Sequence, residues 1–386
     1  MINTYNKINF NNIITKCILI ICLIYPPFVF FSFINELFRL TAFALLLIVL
    51  FLKLLFQKIK IKTLLLHGFL LSLLFIYCFS TIYINNNNEG FRSSLGYSLI
   101  LILSFLVYLN INSNFIFFEF IKKNYVSLFY LITICTIFNF VLNIFLTSNN
   151  FLTPYILSDS SYNYSASIFG LSINKFIYNI NISRNFWFFI EPVYTAPFFL
   201  INIFVISPLI QKSKYFLILN TISGILTFSF LFFIGYLILF LLKNKPYILI
   251  FLFTIILIIL IYSNFDYEEN SIITSSSTSD RLLRIDMAFN ILSKFSISQI
   301  FFGNGYLFSL SLERGISAGI LSSFVEGGLI GMIIPLLLAL FYIKYNKILF
   351  CIFLLSLITM ESYKMPFLWI TFILAGKLIS IKGDVQ

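Results

Sequence analysis

Two arginines, Arg281 and Arg284, stand one helical turn apart in a chain of 386 residues that holds only four others, Arg39, Arg92, Arg184 and Arg314. Guanidinium is a planar fork that grips phosphate or carboxylate at two points and keeps its charge, so such a pair points to an anionic ligand. Arg184 precedes Glu191 by seven residues, close enough to share a site if the intervening chain folds back. Pro192 follows Glu191 and suits the first turn of a helix, where its missing N–H would be unpaired anyway. A carboxylate there accepts from free amides and is held rigidly; the simpler reading is a helix cap. Glu326 lies in an apolar run beside Gly327, Gly328 and Gly331. An ionisable side chain inside a membrane span is costly and marks function by default, although the spacing of Gly327 and Gly331 also fits a helix contact that Glu326 would simply bond.

No metal site accompanies these residues. The lone histidine, His67, has no Cys or second His to complete one, and the five cysteines all sit in apolar runs.

The elements that must position these groups follow from composition. Hydrophobic residues make up 60% of the chain and charged residues 10%, which excludes a soluble globule. The fold class is all-α, a polytopic integral membrane helical bundle forming one domain over 1–386. The net charge of +11 would suit nucleic acid in a soluble protein, but no polar surface interleaves aromatics with basic residues, so nucleic acid is excluded as a partner.

Apolar runs able to cross a hydrocarbon core of about 30 Å occupy 17–34, 40–56, 63–84, 95–109, 125–147, 187–210, 215–242, 246–263, 320–343, 348–360 and 366–380. The run at 215–242 has lysines at both ends, Lys212 and Lys214 before it and Lys243 and Lys245 after it. Because basic residues stay cytoplasmic, it reads as a hairpin turning near Thr227, Phe228 and Ser229. That makes about twelve segments with both termini cytoplasmic, and places Lys58, Lys60, Lys62, Lys122, Lys123, Lys344, Lys347, Lys377 and Lys382 inside.

Two external loops, 148–185 and 264–319, are too long for connectors. The second starts with Asp266, Glu268 and Glu269, passes a flexible tract at 274–279, and predicts an amphipathic helix over 280–295 followed by a turn at Gly303, Asn304 and Gly305. With this topology all six arginines fall outside, and of the 19 lysines only Lys175, Lys294 and Lys364 do. Lysines orient the chain; arginines spent on orientation would also gather inside, and they do not.

Arg184-Asn-Phe-Trp-Phe-Phe-Ile-Glu191-Pro192 resembles the Arg, aromatic, Glu-Pro signature in the large periplasmic loop of bacterial O-antigen polymerases of the Wzy type. Asp280-Arg281-Leu-Leu-Arg284, Phe302-Gly303-Asn304-Gly305 and Glu326-Gly-Gly328-Leu-Ile-Gly331 are similar, in order, to the second loop and following span of the O-antigen polymerase and ligase superfamily. Thr227-Phe228-Ser229 resembles its Thr-x-Ser hairpin tip. Two departures stand out. Phe230 occupies a position where many members carry Arg, and Ser317 stands where ligases carry His, which favours the polymerase branch.

The resemblance implies transfer of a growing glycan from undecaprenyl diphosphate to a new lipid-linked repeat unit, at the outer leaflet of the bacterial cytoplasmic membrane. It makes Arg184, Arg281 and Arg284 the diphosphate clamp, Glu191 a base or acceptor-orienting group and Glu326 a second such group. No cofactor or metal is required. A chain-length regulator and a flippase are the expected partners, and the product is O-antigen, capsule or exopolysaccharide. A flippase for lipid-linked oligosaccharide is the alternative from another class, and would place charges and broken helices at the midplane. An O-antigen ligase is disfavoured by Ser317, and another lipid-dependent glycosyltransferase by a first outer loop whose only acid is Glu36.

Overall fold

The computed structural model describes residues 2–25, 34–55, 57, 65, 68–70, 72–73, 76, 88–146, 153–156, 163–167, 169–177, 180–185, 187–189, 192–210, 214–244, 285–305, 319–343, 346–359 and 364–383. The runs expected at 63–84 and 246–263, with His67, lie wholly or mostly outside these.

The first half of the bundle contains α1 (Ile2–Leu23), α2 (Glu36–Leu55), α3 (Asn88–Ser113) and α4 (Phe115–Leu146). After a sheet come α5 (Pro192–Ile201), prolonged by a π turn (Asn202–Ile206) and a last turn (Ser207–Leu209), then α6 (Lys214–Leu226) and α7 (Phe230–Asn244). The chain ends with α8 (285–292), α9 (Ile297–Phe302), α10 (Gly319–Ile343), α11 (Lys347–Thr359) and α12 (Pro366–Gly383).

Four of the described helices are long and apolar enough to cross a membrane, at Leu37–Leu55, Gly96–Ser113, Phe115–Leu142 and Gly319–Ile343. Shorter apolar helices surround them, and the chain is a membrane-embedded helical protein. The centre of the bundle is α12, in which every residue from 366 to 376 is buried. A helix that is apolar all round belongs in such a core. Aromatic rings fill the space about it: Phe367 lies 5.4 Å from Phe198 and 6.0 Å from both Phe129 and Tyr125, while Trp369 meets Phe353 at 5.8 Å and Tyr342 at 5.9 Å. Lipid tails give no hydrophobic drive between helices, so close packing must hold them. Gly376 serves that end, since the Tyr342 carbonyl occupies the space its Cβ would take.

The all-α expectation needs one correction. The long loop at 148–185 contains a four-stranded antiparallel meander, β1 (Thr153–Ile156), β2 (Asn163–Ser167), β3 (Gly170–Ile177) and β4 (Ile180–Asn185). Register pairs Ser167 with Gly170 and Ile177 with Ile180, the spacing of two-residue hairpins. Leu171 and Ile173 alternate with Ser172 and Asn174, and Ile180 and Ile182 with Asn181 and Ser183, a period of two that a helix cannot use. The sheet docks on α4 through Phe138 and Phe169, whose rings stack at 5.6 Å.

Two helices depart from their expected bounds. The helix at 125–147 starts ten residues earlier, at Phe115, so Lys122 and Lys123 lie within it; Lys122 pairs with Glu119 at 2.6 Å, one turn back. Of the amphipathic helix expected over 280–295, residues 280–284 lie outside the described residues, and the described part is helical over 285–292 and turns at 293–294. The hairpin at 215–242 is present as two helices, broken at Thr227 to Ser229 with Phe228 at φ 46°.

Candidate site at the break of α10

Ser296 opens the segment that shapes this site. Its hydroxyl accepts from the Gln299 amide at 3.4 Å, and Gln299 Oε1 accepts from the Ser296 amide at 2.9 Å, a reciprocal cap that starts α9. Gly303 ends this short helix at φ 68°, and Gln299 Nε2 reaches forward to donate to Asn304 Oδ1 at 2.7 Å. The turn Gly303 to Gly305 is thereby fixed before it meets anything else.

It meets the backbone of α10 where that helix is broken. Gly328 has φ 59° and ψ −159°, values no helix contains. In an unbroken helix the carbonyls of Val325 and Glu326 would accept from residues four positions on. Here Asn304 donates its amide to the Val325 carbonyl at 2.8 Å and Gly305 donates to the Glu326 carbonyl at 3.0 Å. Buried backbone groups need partners, and the turn supplies them. The approach requires glycine on both sides, since a Cβ on Gly303 would overlap the backbone of Glu326, and one on Gly328 would lie 2.6 Å from the Gly303 nitrogen and from the Phe301 carbonyl.

The break carries a charge. Glu326 is 1% exposed, and its carboxylate accepts from Lys364 Nζ at 3.0 Å; the lysine side chain is 19% exposed. Lys364 lies just before the start of α12 at Pro366. Removing two charges from water costs several kcal/mol each, which only close pairing offsets. Glu326 therefore bonds a neighbouring element through an ion pair with a turn, and Gly328 beside it serves a docked loop.

Of the other residues singled out from sequence, Arg184 lies in β4, in register with Ile173 of β3. Glu191, Arg281 and Arg284 lie outside the described residues. Aromatic contacts lead from β4 to the Lys364 end of the bundle. Beyond β4, Phe189 packs at 5.5 Å on Phe198, within two turns of the α5 start, and Phe198 packs at 5.4 Å on Phe367, three residues after Lys364. Trp187, at φ 51°, packs its backbone against Gly170 and its ring at 5.3 Å from Phe188 and 6.3 Å from Phe189, fixing the path between β4 and α5.

Lys364 was not marked as functional from sequence. Its signal was its sidedness, since it is one of few lysines on the side assigned to arginines. Chemically the pair can offer a carboxylate to a hydroxyl and an ammonium to a phosphate. No family model, no curated protein and no solved structure matches this chain.

Proposed function

We propose that the protein polymerises undecaprenyl-diphosphate-linked oligosaccharide repeat units into a surface polysaccharide at the outer leaflet of the bacterial cytoplasmic membrane, as a glycosyltransferase with about twelve spans and both termini cytoplasmic. The observation that carries this reading is the buried Glu326–Lys364 pair at the break of α10, clasped by Gly303 to Gly305. The segments meeting there are two of those on which the resemblance rests.

A glycosyl diphosphate already contains its leaving group, so the work of the enzyme is to hold growing negative charge and align an acceptor hydroxyl. Arg184, Arg281 and Arg284 grip the diphosphate. Glu191 is the base or the group that orients the acceptor. Lys364 pairs with Glu326 until substrate phosphate competes for the ammonium, leaving the carboxylate to accept from a sugar hydroxyl. A chain-length regulator and a flippase act beside it.

The test is purified protein in detergent with lipid-linked repeat units. Arg184→Lys and Arg281→Lys leave short glycans on the carrier, and unchanged long polymer in both variants overturns the proposal. The broken helix α10 and the π turn after α5 favour a second reading, a lipid-linked oligosaccharide flippase, because transporters use interrupted helices. A flippase forms no product in detergent, so the same incubation separates the two.

A further inference from the structure

The short helix α9 turns three large apolar side chains away from the bundle. Ile297 is 78% exposed, Ile300 39% and Phe301 47%, and their i, i+3 and i+4 spacing sets them on one face. The other side of the segment is held. Phe295, just before the helix, stacks on Phe324 of α10 at 6.5 Å, and the turn just after it docks on the Val325 and Glu326 carbonyls. The polar side chains of the segment bond one another rather than relying on water. The Ser296 and Ser298 hydroxyls lie 3.0 Å apart, the Ser296 hydroxyl is also 3.0 Å from Gln299 Oε1, and Gln299 Nε2 donates to Asn304. Internal pairing of this kind suits a backbone segment placed where water is scarce.

Depth sets that face at a membrane boundary. From Glu326 to Ile343, α10 is about 25 Å long at a rise of about 1.5 Å per residue, and the exposed Lys347 opens α11 just beyond. With that lysine at one edge of a hydrocarbon core about 30 Å thick, Glu326 and the turn docked on it lie close to the other edge. A helix at this level rests in the plane of the membrane, apolar side chains among the acyl chains and polar ones among the headgroups. Lys294, exposed and three residues before Ile297, has the reach for lipid phosphates.

We propose that α9 is an interfacial helix, seated in the membrane surface with Ile297, Ile300 and Phe301 in lipid and Lys294 at the headgroups. Anchored there, it holds the turn from Gly303 to Gly305, and with it the Glu326–Lys364 pair, at headgroup depth. This anchoring does not depend on the reaction that the pair serves.

Nitroxide labels on the full-length protein, in a cysteine-free background and in nanodiscs of phosphatidylglycerol and phosphatidylcholine, test this. Labels at Ile297→Cys, Ile300→Cys and Phe301→Cys, all exposed positions outside the core, should collide more often with oxygen, which concentrates in the bilayer, than with a water-soluble nickel chelate. A label at Asp286→Cys, an exposed acidic position on α8, should show the reverse. Three separate positions on one face keep the test decisive if one labelled variant does not fold. An oxygen-to-nickel collision ratio no higher at these positions than at Asp286→Cys would set the face in water. Low collision with both reagents would mean that a second copy or another protein segment covers it. Either result overturns the proposal, and because no polymer is measured, neither bears on the polymerase reading.

Discussion

Gly328 and Gly303 stand back to back, so close that a Cβ on Gly328 would lie 2.6 Å from the Gly303 amide nitrogen. Gly328 also holds φ 59° with ψ −159°, a region open essentially to glycine alone and costing a residue with a side chain about 1–3 kcal/mol. Gly328→Ala therefore suffers twice, from backbone strain and from pushing away the turn that satisfies the Val325 and Glu326 carbonyls. A drop in thermal midpoint of several degrees in detergent is expected, with loss of polymer. Gly96→Ala is the comparison, since nothing lies within 4 Å of its Cβ position. There alanine should be neutral or stabilising. Equal midpoints for the two variants would show that the contact carries no weight.

The Glu326–Lys364 pair allows stability and function to be separated. Removing one partner strands a buried charge, which costs about 3–5 kcal/mol, whereas apolar residues at both positions are often neutral or stabilising. Lys364→Met should thus lower the thermal midpoint more than the double variant Glu326→Leu/Lys364→Met. If the carboxylate serves the acceptor, the double variant melts near the wild type yet forms no polymer. A double variant that polymerises normally would leave the pair a structural device.

The hairpin α6–α7 makes a prediction about depth. Its helices have 13 and 15 residues, or about 20 and 22 Å, short of the roughly 30 Å hydrocarbon core. At the tip, Thr227 and Ser229 are buried, with the Thr227 hydroxyl donating to the Gly224 carbonyl at 2.7 Å. The tip should therefore end inside the protein. In a cysteine-free background, Ser229→Cys should resist a membrane-impermeant maleimide in intact cells and react after unfolding in detergent. Rapid labelling in cells would mean that the hairpin crosses fully.

Elements set by one long apolar stretch were legible in the sequence. The run at 320–343 becomes Gly319–Ile343 and that at 366–380 becomes Pro366–Gly383, because hydropathy and a flanking proline fix such helices locally. The hairpin turn at Thr227 to Ser229 was legible through lysine placement. The sheet was missed because two-residue alternation in a polar loop is a weak signal beside strong apolar runs. At the site, Glu326 stood out as a charge among apolar neighbours, but its partner is 38 residues away, and only tertiary packing brings Lys364 to it. The role of Gly328 was hidden for the same reason: it breaks one helix so that a turn distant in sequence can dock.

A buried polar chain ties three helices together and sets the last prediction. The Tyr125 hydroxyl donates to Asn202 Oδ1 at 3.0 Å, Asn202 Nδ2 donates to Asn220 Oδ1 at 2.9 Å, and Asn220 Nδ2 donates to the Phe216 carbonyl at 2.7 Å. Asn202 opens the π turn, a feature that often marks places where a helix is bent to purpose. Single hydrogen bonds between membrane helices average only about 0.6 kcal/mol, so Tyr125→Phe should cost little. Asn202→Leu removes the middle of the chain and leaves both Tyr125 and Asn220 without their partner, at about 1–3 kcal/mol. Because the two changes share one bond, their double variant should melt close to Asn202→Leu alone. Thermal midpoints of the single and double variants measure this, and strictly additive losses would show that the links act independently.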